Sequence, residues 1–129
     1  MTGRPLIVGI GGTTRPGSSS DLAVAAALRT AGQQGAGTVH FGGMFLAGLP
    51  HFAPEDPART PEQRELVDTV RRADGLIIAS PGYHGGISAL VKNALDLLED
   101  LRDDTVPYLQ TGPSGASSPQ PAGRPAAPP

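Results

Sequence analysis

The sequence predicts an α/β fold of three layers, with a parallel sheet between helices, and three observations carry that prediction. Short apolar runs of strand length alternate along the chain with longer stretches of helical periodicity. Two of the runs, Leu6-Ile7-Val8 and Leu76-Ile77-Ile78, are continuous rather than alternating, as strands covered on both faces of a parallel sheet are. The turns that follow these runs are rich in Gly, Ser and Thr and open onto helices, so the units read as βαβ with right-handed crossovers.

In chain order, Pro5 to Gly11 is the first predicted strand. Asp21 to Ala31 follows as a helix, with Leu22, Val24, Ala25, Ala26 and Leu28 at helical spacing and an end near Gly32 and Gly35. Gly37 to Gly42 reads as a shorter second strand, because β-branched and aromatic residues lie between glycines. From Gly43 to Thr60 an irregular segment is expected, since Pro50, Pro54, Pro57 and Pro61 block a long helix. Its apolar residues Met44, Phe45, Leu46, Leu49 and Phe52 suggest a subunit contact or a pocket wall.

Thr60 followed by Pro61 is a helix-start signature, and the helix is expected to reach about Ala73, burying Leu66, Val67 and Val70. Arg71 and Arg72 then sit at the negative end of its dipole. Gly75 to Ser80 is the third predicted strand, expected to be buried, and Pro81 stops it. Ser88 to about Leu101 is the last helix, with an apolar stripe of Leu90, Val91, Ala94, Leu95, Leu98 and Leu101.

Composition narrows the function. The 129 residues suffice for one domain, and a formal net charge of −2 provides no basic field for nucleic acid or a membrane surface. The absence of cysteine rules out disulfides and thiolate metal sites within these residues. His40, His51 and His84 lack ligand spacing, so no metal site is expected. With neither an apolar leader nor a membrane span, the expectation is a soluble, cytoplasmic protein. The segment 111–129 contains only Thr, Gly, Pro, Ser, Ala, Gln and Arg, which leaves nothing to bury. It is expected to be a disordered Pro/Ala/Gly-rich tail after a domain spanning 1–110.

Two turns carry the chemistry. Gly9 to Ser20 joins a strand to a helix through Gly, Thr, Ser and Arg15, which together offer backbone N–H groups, hydroxyls, a guanidinium and a helix N-terminus to a phosphate. The dinucleotide pattern G-x-G-x-x-G fails at Thr14, and the phosphate-loop pattern fails because no Lys follows Gly17. On composition alone, a plain Gly/Ser-rich turn that caps the next helix through Ser20 fits as well. The second turn, Ser80-Pro81-Gly82-Tyr83-His84-Gly85-Gly86-Ile87-Ser88, offers an aromatic ring, a histidine and free amides. In a sheet of order 2-1-3 both turns lie at the same rim, where one grips an anion and the other faces a flat heterocycle.

At these residues the chain resembles the flavodoxin-like NADPH-dependent FMN reductases, which include quinone, azo-dye and chromate reductases. Gly12-Thr13-Thr14-Arg15-Pro16-Gly17-Ser18-Ser19-Ser20 is similar to the family's Gly-Ser-x-Arg-x-x-Ser phosphate loop, and Leu49-Pro50 with Phe52 to its Leu-Pro segment. Pro81-Gly82-Tyr83-His84 running into Leu90-Val91-Lys92-Asn93-Ala94-Leu95-Asp96 is similar to its Pro-Glu-Tyr-Asn loop and Lys-Asn-Ala helix. The likeness spans about residues 5 to 108. It implies that Thr13, Arg15, Ser18 and Ser20 hold the FMN phosphate and that Pro81, Gly82, Tyr83 and His84 line the isoalloxazine. Gly82 stands where the family has Glu, and His84 where it has Asn. Lys92 and Asn93 are expected to fix loop and helix.

The resemblance also implies a flavodoxin-like three-layer sandwich with order 2-1-3 present and later strands missing, consistent with a frameshifted end. It implies FMN as cofactor, NADPH as co-substrate, a small-molecule electron acceptor and a homodimer or homotetramer. No side chain is expected to be catalytic, because the hydride chemistry belongs to the cofactor. A second reading is a non-catalytic fragment that binds FMN weakly or only self-associates.

Overall fold

The computed structural model describes residues 3–15 and 17–104. The predicted tail 111–129 lies outside the described residues, as do Val106 to Leu109. Three parallel strands, β1 (Leu6–Gly11), β2 (Gly37–Phe41) and β3 (Gly75–Ala79), form one sheet in the order β2-β1-β3. Val8 registers with Val39 on one side and with Leu76 on the other, which makes β1 the central strand. Helices cover both faces, so the architecture is the three-layer α/β sandwich that the alternating pattern predicts, in the flavodoxin-like order that the resemblance implies.

Strand alternation assigns the two layers. Val8 and Ile10 point to one face and join Leu66, Val70, Val91, Leu97 and Leu101 in the main core, all almost wholly buried. Those partners come from α3 (Pro61–Arg72), α4 (Ala89–Leu97) and the 3-10 turn Leu98–Leu101. Gly9 points the opposite way, toward Val24 and Leu28 of α1 (Ser19–Gln33), and a Cβ at Gly9 would overlap Val24. The missing side chain in β1 therefore lets α1 lie close against the sheet.

Local chemistry sets the element ends. Thr60 opens α3 with a reciprocal capping box: its hydroxyl accepts the Gln63 N–H at 3.1 Å, while Gln63 Oε1 accepts the Thr60 N–H at 2.8 Å. Asp74 anchors the start of β1, its carboxylate accepting the Leu6 N–H at 2.8 Å. Arg59 pins the long connection before α3 through two bonds to Asp100, at 2.7 and 2.9 Å, and lies over the Phe52 ring. Those bonds, foremost the hydrogen bond that Arg59 donates to the Asp100 carboxylate, raise the pKa of the Arg59 guanidinium above its ordinary value.

Three expectations are corrected. The segment after Gly42 is not wholly irregular: Gly43–Ala47 forms a short helix, α2, because the first proline comes only at Pro50. The hydroxyl that caps α1 belongs to Ser18 and not Ser20, which lies within the first turn. Leu22 of α1 is 62% exposed, since α1 turns only one side to the sheet. Strand β3 is half-buried instead of buried, with Ile78 45% exposed, because β3 is an edge of the described sheet. The last helix tightens into a 3-10 turn after Leu97, and Leu97, three residues on from the buried Ala94, is itself buried beside Leu98. No helix among the described residues is long and apolar enough to cross a membrane.

Candidate functional site

Strands β1 and β3 run in the same direction, so the turns that leave their carboxyl ends share one rim of the sheet. The structure brings them into contact: Thr13 and Thr14 of the first turn and Tyr83, Ser88, Ala89 and Leu90 of the second line one cleft of about 230 Å³. That is below the roughly 300–1,000 Å³ of a whole ligand pocket. The cleft is therefore large enough for part of a flat ligand, with the remainder lying along the rim.

The first turn is shaped from within. Gly12 has φ +126°, a backbone state that L side chains avoid, and a Cβ there would overlap the Asp21 carboxylate. The Thr13 hydroxyl accepts the Arg15 N–H at 3.1 Å and folds the turn back on itself. Ser18 accepts the Asp21 N–H at 3.2 Å as N-cap of α1. Helix geometry leaves the N–H groups of Ser19 and Ser20 without an intrahelical carbonyl, aimed at the rim with the positive end of the dipole. Arg15 is exposed at the outer edge of this turn and Ser20 is half-buried in the first turn of α1.

The second turn is a tight antiparallel loop. Tyr83 and Gly86 exchange two backbone bonds, Tyr83 N–H to Gly86 O at 3.0 Å and Gly86 N–H to Tyr83 O at 2.8 Å. His84 and Gly85 between them have φ +51° and +78°, the two left-handed positions of a type I′ turn. Ser80 closes the base of the loop, its hydroxyl accepting the Ser88 N–H at 2.7 Å. Ser88 in turn caps α4 by accepting the Val91 N–H.

Of the eight residues singled out in the sequence, Thr13 and Tyr83 line the cleft itself. Ser18 is buried as the cap of α1, Pro81 is half-buried, and Gly82 and His84 are exposed on the second turn. Three residues in the site were not foreseen. Ser80 and Ser88 resemble any strand-end serine in the sequence, and their pairing across eight positions exists only once the loop closes. Asp21 reads as an ordinary acidic residue in a first turn, yet its carboxylate underlies Gly12 and accepts the Gly43 N–H at 3.4 Å. Asn93 joins the site to the Leu-Pro segment, with Phe52 N–H donating to Asn93 Oδ1 at 2.7 Å and Asn93 Nδ2 donating to Pro50 O at 2.9 Å.

A parallel sheet whose first turn presents amides, hydroxyls and a guanidinium, and whose third-strand turn adds an aromatic wall, has the layout of a flavodoxin-like protein with its ligand rim at the strand ends. The chain belongs to the NADPH-dependent FMN reductase family, whose profile matches residues 5–126. That family uses FMN, with NADPH as electron donor.

Among curated proteins, the chain is 40% identical over 70 residues to an FMN reductase (NADPH) of Escherichia coli, covering 50% of this chain and 37% of that one. It is 40% identical over 52 residues to a subunit of an NADH:(hydroxy)cinnamate reductase from Vibrio ruber, covering 40% of this chain and 26% of the relative. Identity to an iron–sulfur flavoprotein of Methanocaldococcus jannaschii is 28% over 102 residues, covering 74% of this chain and 53% of the relative. The matches thus span between about a quarter and about half of the length of these relatives.

Proposed function

We propose that this chain binds FMN at the shared rim and serves NAD(P)H-dependent reduction of a flavin, quinone or similar small acceptor. The observation that carries the reading is the single cleft walled by Thr13 and Thr14 on one side and Tyr83 on the other, beside the capped N-terminus of a 15-residue helix. The donor set suits a phosphate: free first-turn amides, hydroxyls of Thr13, Thr14 and Ser20, and Arg15 within reach of the rim. Tyr83 with the side chains of Ala89 and Leu90 suits one face of an apolar ring.

When bound, FMN supplies the chemistry, accepting a hydride from the nicotinamide and passing the electrons on. The protein's residues bind and orient. Arg15 and the α1 amides hold the phosphate end, Tyr83 and the amides of 82–84 hold the ring end, and Leu90 keeps water from the ring's edge. No side chain is assigned a proton-transfer role. The iron–sulfur chemistry in one relative's name does not come over, because these residues include no cysteine to hold a cluster.

Subunit association fits the same rim. Leu22, Met44, Tyr83 and Ile87, each in a segment that follows a strand end, are exposed. Exposed apolar side chains of this size suit a covered surface, and a homodimer or homotetramer that covered them would close the open side of the ring cleft. The second reading, a non-catalytic fragment that binds FMN weakly or only self-associates, draws on the half-open edge of β3 and the small cleft.

Purified protein titrated with FMN, followed by flavin absorbance and by melting temperature, tests the reading. FMN that binds only the folded state raises the melting temperature with concentration. FMN binding with anaerobic bleaching by NADPH is the expected result. Binding without bleaching by NADPH or NADH selects the non-catalytic reading, and no binding removes the FMN-dependent reading and leaves the fragment that only self-associates.

A further inference from the structure

We infer that Asp21 is a positioning residue, which sets the phosphate-gripping turn by tying it to the turn between β2 and α2. The inference rests on the FMN-binding reading and concerns a residue to which the resemblance gives no role. Three separate segments converge on its carboxylate. From the first turn, Gly12 lies so close that a Cβ would overlap Oδ1, and the Ser18 hydroxyl donates to Oδ2 at 3.4 Å. From the turn after β2, the Gly43 N–H donates to Oδ1 at 3.4 Å. From β2 itself, His40 Nε2 lies 3.7 Å from Oδ1.

The same turn touches back. A Cβ on Gly43 would overlap the carbonyl oxygen of Thr13, so Gly43 is packed directly against the residue that lines the cleft. Asp21 and Gly43 therefore hold Gly12-Thr13 from two sides. The arrangement exceeds a capping role: Ser18 already caps α1 by accepting the Asp21 amide, and that bond does not need the Asp21 side chain. The carboxylate accepts from Gly43 and Ser18 and lies beside His40, so its hydrogen bonds are made within the protein. A first-turn carboxylate facing outward would repel a phosphate. Bonded within the protein, this one braces the loop that receives the phosphate.

The role separates two ligands that differ only by that phosphate. Both ligands meet the ring cleft that Thr13 and Thr14 help to line, but only FMN meets the turn's phosphate grip, so the ratio of the two affinities reads that grip. Wild-type protein, Asp21→Ala and Asp21→Asn are titrated with each ligand by flavin fluorescence, with melting temperature measured in parallel.

Asp21→Ala is expected to weaken FMN by about tenfold, the loss of one acceptor to a partly buried amide, and to leave riboflavin within about twofold. Asp21→Asn keeps an oxygen for the Gly43 N–H and is expected to recover most of the FMN affinity. Gly43→Ala, which presses on Thr13 from the other side, is expected to reproduce the selective FMN loss. Unchanged FMN affinity in Asp21→Ala overturns the inference and leaves the FMN reading standing. Equal loss of both ligands together with a lowered melting temperature overturns it as well, since that is a general folding defect. A wild-type chain that binds neither ligand overturns the FMN reading and the inference together.

Discussion

Replacing Asn93 by alanine should loosen the connection between β2 and α3 by an amount that follows from two bonds. The Phe52 N–H, partly buried, donates to Asn93 Oδ1 at 2.7 Å, and without that oxygen it loses its partner. Stranding a partly buried amide costs about 1.5 kcal/mol. The second bond, from Asn93 Nδ2 to Pro50 O at 2.9 Å, is exposed, so water replaces it and about 0.5 kcal/mol is lost. Alanine returns about 0.6 kcal/mol through its higher helix propensity in α4.

The net cost is about 1.5 kcal/mol, or a melting temperature lower by about 5 °C for a chain of this size. Urea unfolding followed by far-UV circular dichroism measures it, with an unchanged m-value as the check that both proteins unfold alike. Asn93→Asp separates the two bonds, because it keeps the acceptor for Phe52 and loses the donor to Pro50; it should cost less than alanine. An alanine variant within 0.5 kcal/mol of wild type, or an aspartate as costly as alanine, would refute the assignment of the weight to Phe52.

Three further outcomes follow from the same geometry. His84 occupies the first left-handed position of the type I′ turn, where asparagine is better tolerated, so His84→Asn should stabilise the protein by about 0.5–1 kcal/mol in urea unfolding; a loss of stability would contradict the turn assignment. Ser88→Ala removes the cap whose hydroxyl accepts the Val91 N–H and should cost about 1 kcal/mol, read as a lower melting temperature; a neutral result would mean that α4 starts without it. Arg59→Ala removes two bonds to Asp100 and the contact over Phe52 and should cost about 1–2 kcal/mol.

The pH dependence of that last effect is set by the raised pKa of Arg59 in the unsubstituted protein. Such a group contributes its full stabilisation below the unfolded-state value and loses it only as pH rises through the higher folded-state value. For a guanidinium both lie far into the alkaline range. The difference between Arg59→Ala and wild type should therefore be constant from roughly pH 7 to 10, and a difference that shrinks over that interval would count against the pairing.

The path from sequence to fold was shortest where the signal is local. Thr60, Pro61 and Gln63 are three neighbours in the chain, and they form the capping box that begins α3. Leu66, Val67 and Val70 fall on one helical face by spacing alone, and all three are buried. The order β2-β1-β3 came from the family resemblance and not from the local pattern, because right-handed crossovers equally allow β1-β2-β3. Burial was less legible for Ile78 and Leu22. Both are apolar, and apolar character states what a side chain would gain from burial without stating what lies opposite.

Sequence by itself determined the elements, the parallel class and the two turns with phosphate-suited and ring-suited residues, because propensity, capping and glycine act over a few positions. The family likeness was written in the same short stretches, from Gly12 to Ser20 and from Pro81 to Asp96. Tertiary structure decided which side chains meet across those stretches. Asp21 reaches Gly43 over 22 positions, and Asn93 reaches Pro50 and Phe52 over 43 and 41. The physical reason is that a hydrogen bond depends on distances of a few tenths of an ångström, whereas the pattern of residues fixes only which face and which end of the sheet each one occupies.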